Sequence, residues 1–312
     1  MMTKMKVALV LAFVLCCQYS KAQLTGLSDL ETQQLRGPVK EVKEYRISEQ
    51  LYLHEDTLRA YQRRGLKPPY LKRELESDTY FNKDGYITSR MEYGLLANSY
   101  TATYVGPGKP LEKTYLNEDG TVRNRYTFKY DDEGNVLSAV RKSEDNVIFL
   151  EKFSFDPVEN VLTCIHLNTN GNGYTVYVKK RPNGKLEYMK FKRDGEIYQQ
   201  FLFDEKGRAT EYYHTTSRGA FNNVMKYQGQ QRINEEYELM SDGTKKLTSK
   251  GTDKLDKYDN MLSSERFNPD GTRISNKSIQ YKYDSRGNWI YRDQKSSEQF
   301  DSGITERVIT YY

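Results

Sequence analysis

Cysteine is scarce in this 312-residue chain: there are three, and two of them, Cys16 and Cys17, stand close to the N-terminus. Beyond that segment only Cys164 remains, so no disulfide can staple the rest of the chain, and packing and backbone ladders must hold it. Cys164 sits in the apolar run 161–165, where a buried, inert thiol is expected. The three histidines, His54, His166 and His214, are far apart and show no metal-ligand spacing. No His-Glu-x-x-His, paired-cysteine, Gly-x-Ser-x-Gly or phosphate-loop motif occurs. The sequence thus marks no catalytic residue, no metal site and no cofactor, and the chain reads as a non-enzyme. Acids are plentiful, so a carboxylate pair of the glycosidase kind stays open as a rival, although no two acids are singled out.

Aliphatic residues are also few. Without tyrosine, and with glycine counted in, the apolar fraction is about 35%, against roughly 45–50% for ordinary globular domains. Yet aromatics reach 13%, and 27 of the residues are tyrosine, which is not the composition of a disordered chain. Tyrosine buries its ring and keeps its hydroxyl wet, which suits thin sheets better than a thick aliphatic core.

The one unbroken apolar stretch is at the start. Lys4 and Lys6 precede a run from Val7 to Cys17, and Ser20-Lys21-Ala22 supplies small residues for cleavage. This pattern reads as a secretory signal peptide over 1–22, too short to span a bilayer as a permanent helix. Leu15 before Cys16 is not the small residue a lipoprotein signal carries, so cleavage after Ala22 is preferred to lipidation of Cys16 or Cys17. Losing Lys4, Lys6 and Lys21 lowers the formal charge of +5 to +2, and no basic concentration points to nucleic acid. The chain is expected in the periplasm, at the outer-membrane surface or outside the cell. No membrane span is expected in its processed part, nor a lipid-facing barrel, because the strands lack an apolar outward face.

What is abundant is one short phrase: an aromatic or apolar residue, a polar turn ending in glycine, then a polar residue. Its best copies place Asp131 with Gly134, Asp204 with Gly207, and Asp284 with Gly287. Looser copies end at Gly85, Gly120, Gly195, Gly243 and Gly271. Arg181–Leu186 is a partial copy, and Asn160 stands where glycine is expected in another. Asp or Asn at the first position can bond the backbone two residues on, the next two residues form a type I turn, and glycine closes the hairpin in the left-handed conformation. The flanks alternate, as in Phe128-Lys129-Tyr130 and Tyr281-Lys282-Tyr283, so each turn presents an aromatic pair to one face. Glycine spacings are irregular.

The phrase resembles the tyrosine–aspartate (YD) repeat of the RHS family, over roughly 81–289, with many degenerate copies. The resemblance implies a sheet of repeated hairpins. The toxin-delivery role of large RHS proteins is not implied, because this chain is short and shows neither a C-terminal toxin nor an autoproteolytic motif. The expected fold is therefore all-β: an antiparallel meander of hairpins in an elongated twisted sheet, open or partly closed.

One helical segment precedes this domain of 38–312, and irregular stretches interrupt it. Ser28 and Glu31 form a capping box for a short helix in 23–37, ended by Gly37-Pro38. The first strand is expected over 39–47. An irregular or helical insertion is expected at about 48–71, and loops or breaks between sub-sheets at 106–110 and 219–230. Asp56-Thr57-Leu58 matches a bacterial O-glycosylation acceptor, and Trp289 reads as a packing cap or as a ring to stack a sugar. The functional expectation is a non-catalytic scaffold or binding surface, with another protein or a surface polysaccharide as partner.

Overall fold

The computed structural model describes residues 33–49, 71–93, 99–143, 146–217, 219–297 and 302–312. The expected signal peptide, Thr57, His54 and most of the expected helix and insertion lie outside the described residues. Twenty strands follow: β1 Val39–Glu49, β2 Leu71–Phe81, β3 Ile87–Glu92, β4 Tyr100–Gly106, β5 Lys109–Leu116, β6 Val122–Tyr130, β7 Val136–Ser143, β8 Asn146–Asp156, β9 Val161–Asn168 and β10 Gly173–Lys180. The second ten are β11 Leu186–Arg193, β12 Glu196–Phe203, β13 Ala209–Thr216, β14 Gly219–Gln228, β15 Gln231–Leu239, β16 Lys245–Leu255, β17 Met261–Phe267, β18 Arg273–Tyr283, β19 Trp289–Ser296 and β20 Gly303–Tyr311. Each pairs antiparallel with its neighbours in the chain, and β20 pairs with β1 from Val39↔Tyr311 to Ile47↔Ile304. The meander is a closed barrel of 20 strands, with no free edge to manage.

Closure decides what the sequence left open between a twisted and a partly closed sheet. Other boundaries also change. Residues 33–37 form a turn and not the end of a helix: Gln34 is left-handed, with φ 57°. β1 runs through Glu49, and β2 begins at Leu71. The 219–230 region is strand for most of its length, β14, because its residues pair with β13 and β15 on both sides. The Gly106–Lys109 stretch is a tight corner between β4 and β5 in a continuous sheet, not a break.

The corners follow the local physics. At Asp131–Asn135 the Gly134 N–H donates to the Asp131 carbonyl at 3.0 Å, and the Asp131 N–H to the Asn135 carbonyl at 2.9 Å. The pair recurs at 82–86, 117–121, 168–172, 181–185, 204–208, 240–244, 268–272 and 284–288. Gly195 differs. β11 extends to Arg193, and Asp194 and Gly195, at φ 53° and 84°, make a two-residue corner with both residues left-handed.

Cross-strand partners share a face. Followed around the ring, Val42, Thr79, Arg90, Tyr100, Tyr115 and Asn124 form one row. Phe153, Cys164, Val176, Phe191, Gln199, His214 and Phe221 form another on the same face. Both core clusters lie on this face, one built on Phe128, Ala139, Phe153, Cys164, Val176, Val178, Met189 and Phe191, the other on Val39, Val42, Phe81, Ile87, Tyr100, Ala102 and Tyr115. It is the inside of the barrel. The opposite face carries Lys129, Ser138, Lys152, Ile165, Thr175 and Lys192 in one row, and it faces outward.

Candidate functional site

The hairpin corners separate onto two rims. Residue Tyr312 donates its N–H to the Pro38 carbonyl, so both ends of the described chain meet on one of them, here the terminal rim. Gly85, Asp131 with Gly134, Asp204 with Gly207, and Asp284 with Gly287 fall on it, whereas Gly120, Gly195, Gly243 and Gly271 fall on the opposite rim. The sequence reading missed one corner of the terminal rim, Asp256–Asn260, because Asp259, at φ 66°, stands where glycine does elsewhere.

On the terminal rim tyrosines tie several corners to the one before. Tyr104 donates to the Ile87 carbonyl at 2.7 Å, Tyr130 to the Pro110 carbonyl at 2.8 Å and Tyr227 to the Ala209 carbonyl at 3.0 Å. At two corners the acceptor becomes the corner carboxylate itself: Tyr283 donates to Asp256, and Tyr311 to Asp284. Asp284 also accepts the N–H groups of Arg286 and Asn288, both at 2.9 Å. Burial acts to raise the Asp256 and Asp284 carboxyls, but the tyrosine and backbone donors outweigh it and hold both below the ordinary range. On the opposite rim the carboxylates of Asp119, Asp242 and Asp270 accept only from Thr121, Thr244 and Thr272 of their own corners, and the ties between corners come from short hydroxyl side chains and backbone instead, as Ser143 to the Arg123 carbonyl at 3.1 Å and the Ser297 N–H to the Asn276 carbonyl at 3.0 Å.

The seam is secured at the same rim. Asn288, 1% exposed, accepts the Arg36 N–H at 2.6 Å and donates to the Arg36 carbonyl and the Tyr311 hydroxyl. The Arg36 guanidinium donates to the Gly287 carbonyl at 2.9 Å and lies 4.3 Å over the Tyr258 ring.

Two arcs divide the inner wall. From β8 to β14 it is aromatic: the Phe149–His166, His166–Tyr174, Phe201–Tyr212, Tyr212–His214 and His214–Phe221 centroids lie 4.5–5.4 Å apart, most of the rings stacked. Tyr174 and Phe201 also flank Phe191 at 6.4 Å each. Phe149, Tyr174, Tyr212, His214 and Phe221 are only half-buried. Barrels of about 16–18 strands already leave an aqueous channel. With its twenty strands, this wall thus presents a belt of rings to the lumen. Burial pushes His214 below its ordinary value, against the opposing pull of Glu236.

From β15 around to β3 the inner wall is charged. Arg232 pairs with Asp253 at 2.8 Å, and Asn234 donates to the same carboxylate at 2.6 Å. Glu236 accepts from Ser249 at 3.1 Å. Arg307 grips Glu44 with Nε and Nη2, both at 2.7 Å, and Arg90 pairs with Glu92 at 2.8 Å. Trp289 belongs to this arc: the Arg307 guanidinium lies 3.5 Å over its ring and that of Arg292 5.4 Å from its centroid. It is a lumen residue between cations.

The outer wall is polar. Lys152 is exposed at mid-wall and Lys129 beside the terminal rim, Lys43 lies against Glu41 at 2.9 Å, and Glu235 pairs with Lys226 at 3.1 Å. It carries an open hollow of about 360 Å³ beside Ile165, Tyr177 and Lys192. Of the two described histidines, His166 pairs with Glu151 at 3.0 Å and His214 sits four strands away, and no group of three metal-binding side chains converges among the described residues.

No protein-family model matches the chain, and no curated protein matches it. Among solved structures it is similar to a porin-like protein from Bacteroides uniformis, with TM-score 0.39, 10% identity, and 88% of this chain and 98% of that chain covered. A porin-like protein from Bacteroides vulgatus gives TM-score 0.29 at 10% identity over the same shares. The Tc holotoxin pore of Photorhabdus luminescens gives TM-score 0.21 at 11% identity, with 80% of this chain and 17% of that chain covered. Superpositions this loose transfer no function, and the reading below rests on the chain's own residues.

Proposed function

We propose that this chain is an exported, non-catalytic binding protein that works in the envelope or outside the cell and takes its ligand inside the barrel. The observation that carries the reading is the contrast between the walls: half-buried rings face the lumen, while lysines and glutamates face outward at mid-strand. A lipid-facing barrel needs the reverse, an apolar outer band with charges kept inside. Rigid aromatic rings give large contact area at low entropic cost, which favours an interior binding surface. The tyrosine-to-corner ties on the terminal rim support kinship with YD-repeat sheets, here closed on themselves rather than wrapped around a toxin.

The test is capture of envelope proteins and glycans by the processed chain, repeated with inner-wall Tyr212→Ala and Phe221→Ala and outer-wall Tyr213→Ala. Ligand lost on the two inner substitutions and kept on the outer one supports the reading. No ligand at all, or loss only with Tyr213→Ala, contradicts it. A captured glycan that is cleaved on incubation would turn the reading toward the glycan-active alternative.

A further inference from the structure

We propose that the lumen holds an oxyanion site, centred on Arg292 beside Trp289, that receives a carboxylate or phosphate group of the ligand; this rests on the lumen being the binding surface. The argument starts from charge. Four guanidiniums, Arg46, Arg90, Arg292 and Arg307, lie on the inner faces of β1, β3, β19 and β20, with the carboxylates Glu44, Glu74 and Glu92, and Arg46 pairs with Glu76 at 3.7 Å. Glu44 is taken by Arg307 through a two-point contact, and Glu92 by Arg90. Arg292 has no acid. Of its five donors, the one hydrogen bond among the described residues goes from Nη2 to the Thr305 hydroxyl at 3.1 Å, and its Nε is buried without a partner.

Burial lowers the Arg307 guanidinium from its ordinary value; Glu44 opposes this, and Arg292 and Arg90 add to it, so the three guanidiniums feel one another. Tyr281 and Trp289 wall one side, with centroids 6.2 Å apart. A guanidinium with donors left unpaired beside an aromatic ring is an arrangement that binds a carboxylate or phosphate in two-point fashion.

Trp289 is the chain's one tryptophan, so it reports on this site alone. Its fluorescence is quenched in the full processed chain by acrylamide, iodide and caesium at constant ionic strength, each normalised to free tryptophan. Acrylamide is expected to quench, and iodide to exceed caesium by about threefold or more, the effect of one unit charge at roughly 7 Å in water. Arg292→Gln removes the excess, Arg292→Lys keeps it, and outer-wall Lys282→Gln leaves it unchanged. Inorganic phosphate or acetate at millimolar concentration suppresses iodide quenching, and whichever acts at lower concentration identifies the group. Acrylamide access with equal iodide and caesium quenching overturns the site and leaves the lumen reading standing. No acrylamide access overturns both. If Arg292→Gln does not fold, the iodide-to-caesium ratio of the native chain decides.

Discussion

The two rims are made from one sequence phrase and differ in what they hold. On the opposite rim the corner at Asn268–Thr272 turns the chain and bonds only within itself, through Asp270 to the Thr272 N–H at 2.8 Å. On the terminal rim the corner at Asp284–Asn288 turns the chain in the same way, then accepts Tyr311 and clasps Arg36. The lesson is that the first-position aspartate can serve two purposes, as it does at Asp256 and Asp284. It closes its own turn, and it receives a tyrosine from the corner two strands on, which links hairpins that would otherwise be independent.

The largest expected contrast comes from removing that carboxylate. Asp284→Ala leaves the Tyr311 hydroxyl and two backbone N–H groups without their charged acceptor and is expected to cost about 3 kcal/mol. Asp270→Ala should cost well below that, and equal shifts in urea midpoint would break the comparison. Next comes glycine. Gly287 and Gly271 are both left-handed, at φ 82° and 86°, but a Cβ on Gly287 would stand 2.8 Å from the Tyr258 hydroxyl, whereas Gly271 has open space. Gly271→Ala is expected to cost only the backbone strain of about 1–2 kcal/mol, and Gly287→Ala measurably more, by thermal unfolding. Smaller again is Tyr283→Phe, which deletes one donor to Asp256 and is expected to cost about 1 kcal/mol. Tyr281→Phe has no such corner to release and should shift the midpoint less.

The smallest effect is pH dependence. Asp204, Asp256 and Asp284 are held below the ordinary carboxylate value in the fold. A lowered carboxylate stabilises the fold above its unfolded value, and that stabilisation is lost as pH falls from about 4 through the folded values. Acid should therefore loosen the barrel below about pH 4, and Asp256→Asn should flatten the fall. A midpoint that rises on acidification would contradict this.

Much of the fold was legible because its signals are local. Alternation marks strands, and an Asp-to-Gly corner marks a reversal, so the all-β meander follows from the sequence. What was hidden is long-range. Closure depends on β1 meeting β20, some 260 residues apart, and no phrase announces it. Glycine spacings look irregular because they mix two rims; along the terminal rim the Tyr283-to-Asp256 and Tyr311-to-Asp284 ties each span 27 residues. Asp256 escaped notice because Asp259 replaces the glycine, and 219–230 read as loop because its small and amide residues are strand only when flanked on both sides. The candidate site was legible in part. Aromatic pairs sharing a face can be read from Phe201 and Phe203, but that Arg292 and Arg307 flank Trp289 is a property of the closed ring.

Closure is the claim on which the inner and outer walls depend. Amide hydrogen exchange at the seam tests it most directly, read at residues 42–46 of β1 and 304–309 of β20. A closed barrel predicts protection there equal to that of interior pairs such as β10–β11. Fast exchange of alternate amides along both strands, the mark of two free sheet edges, would contradict it.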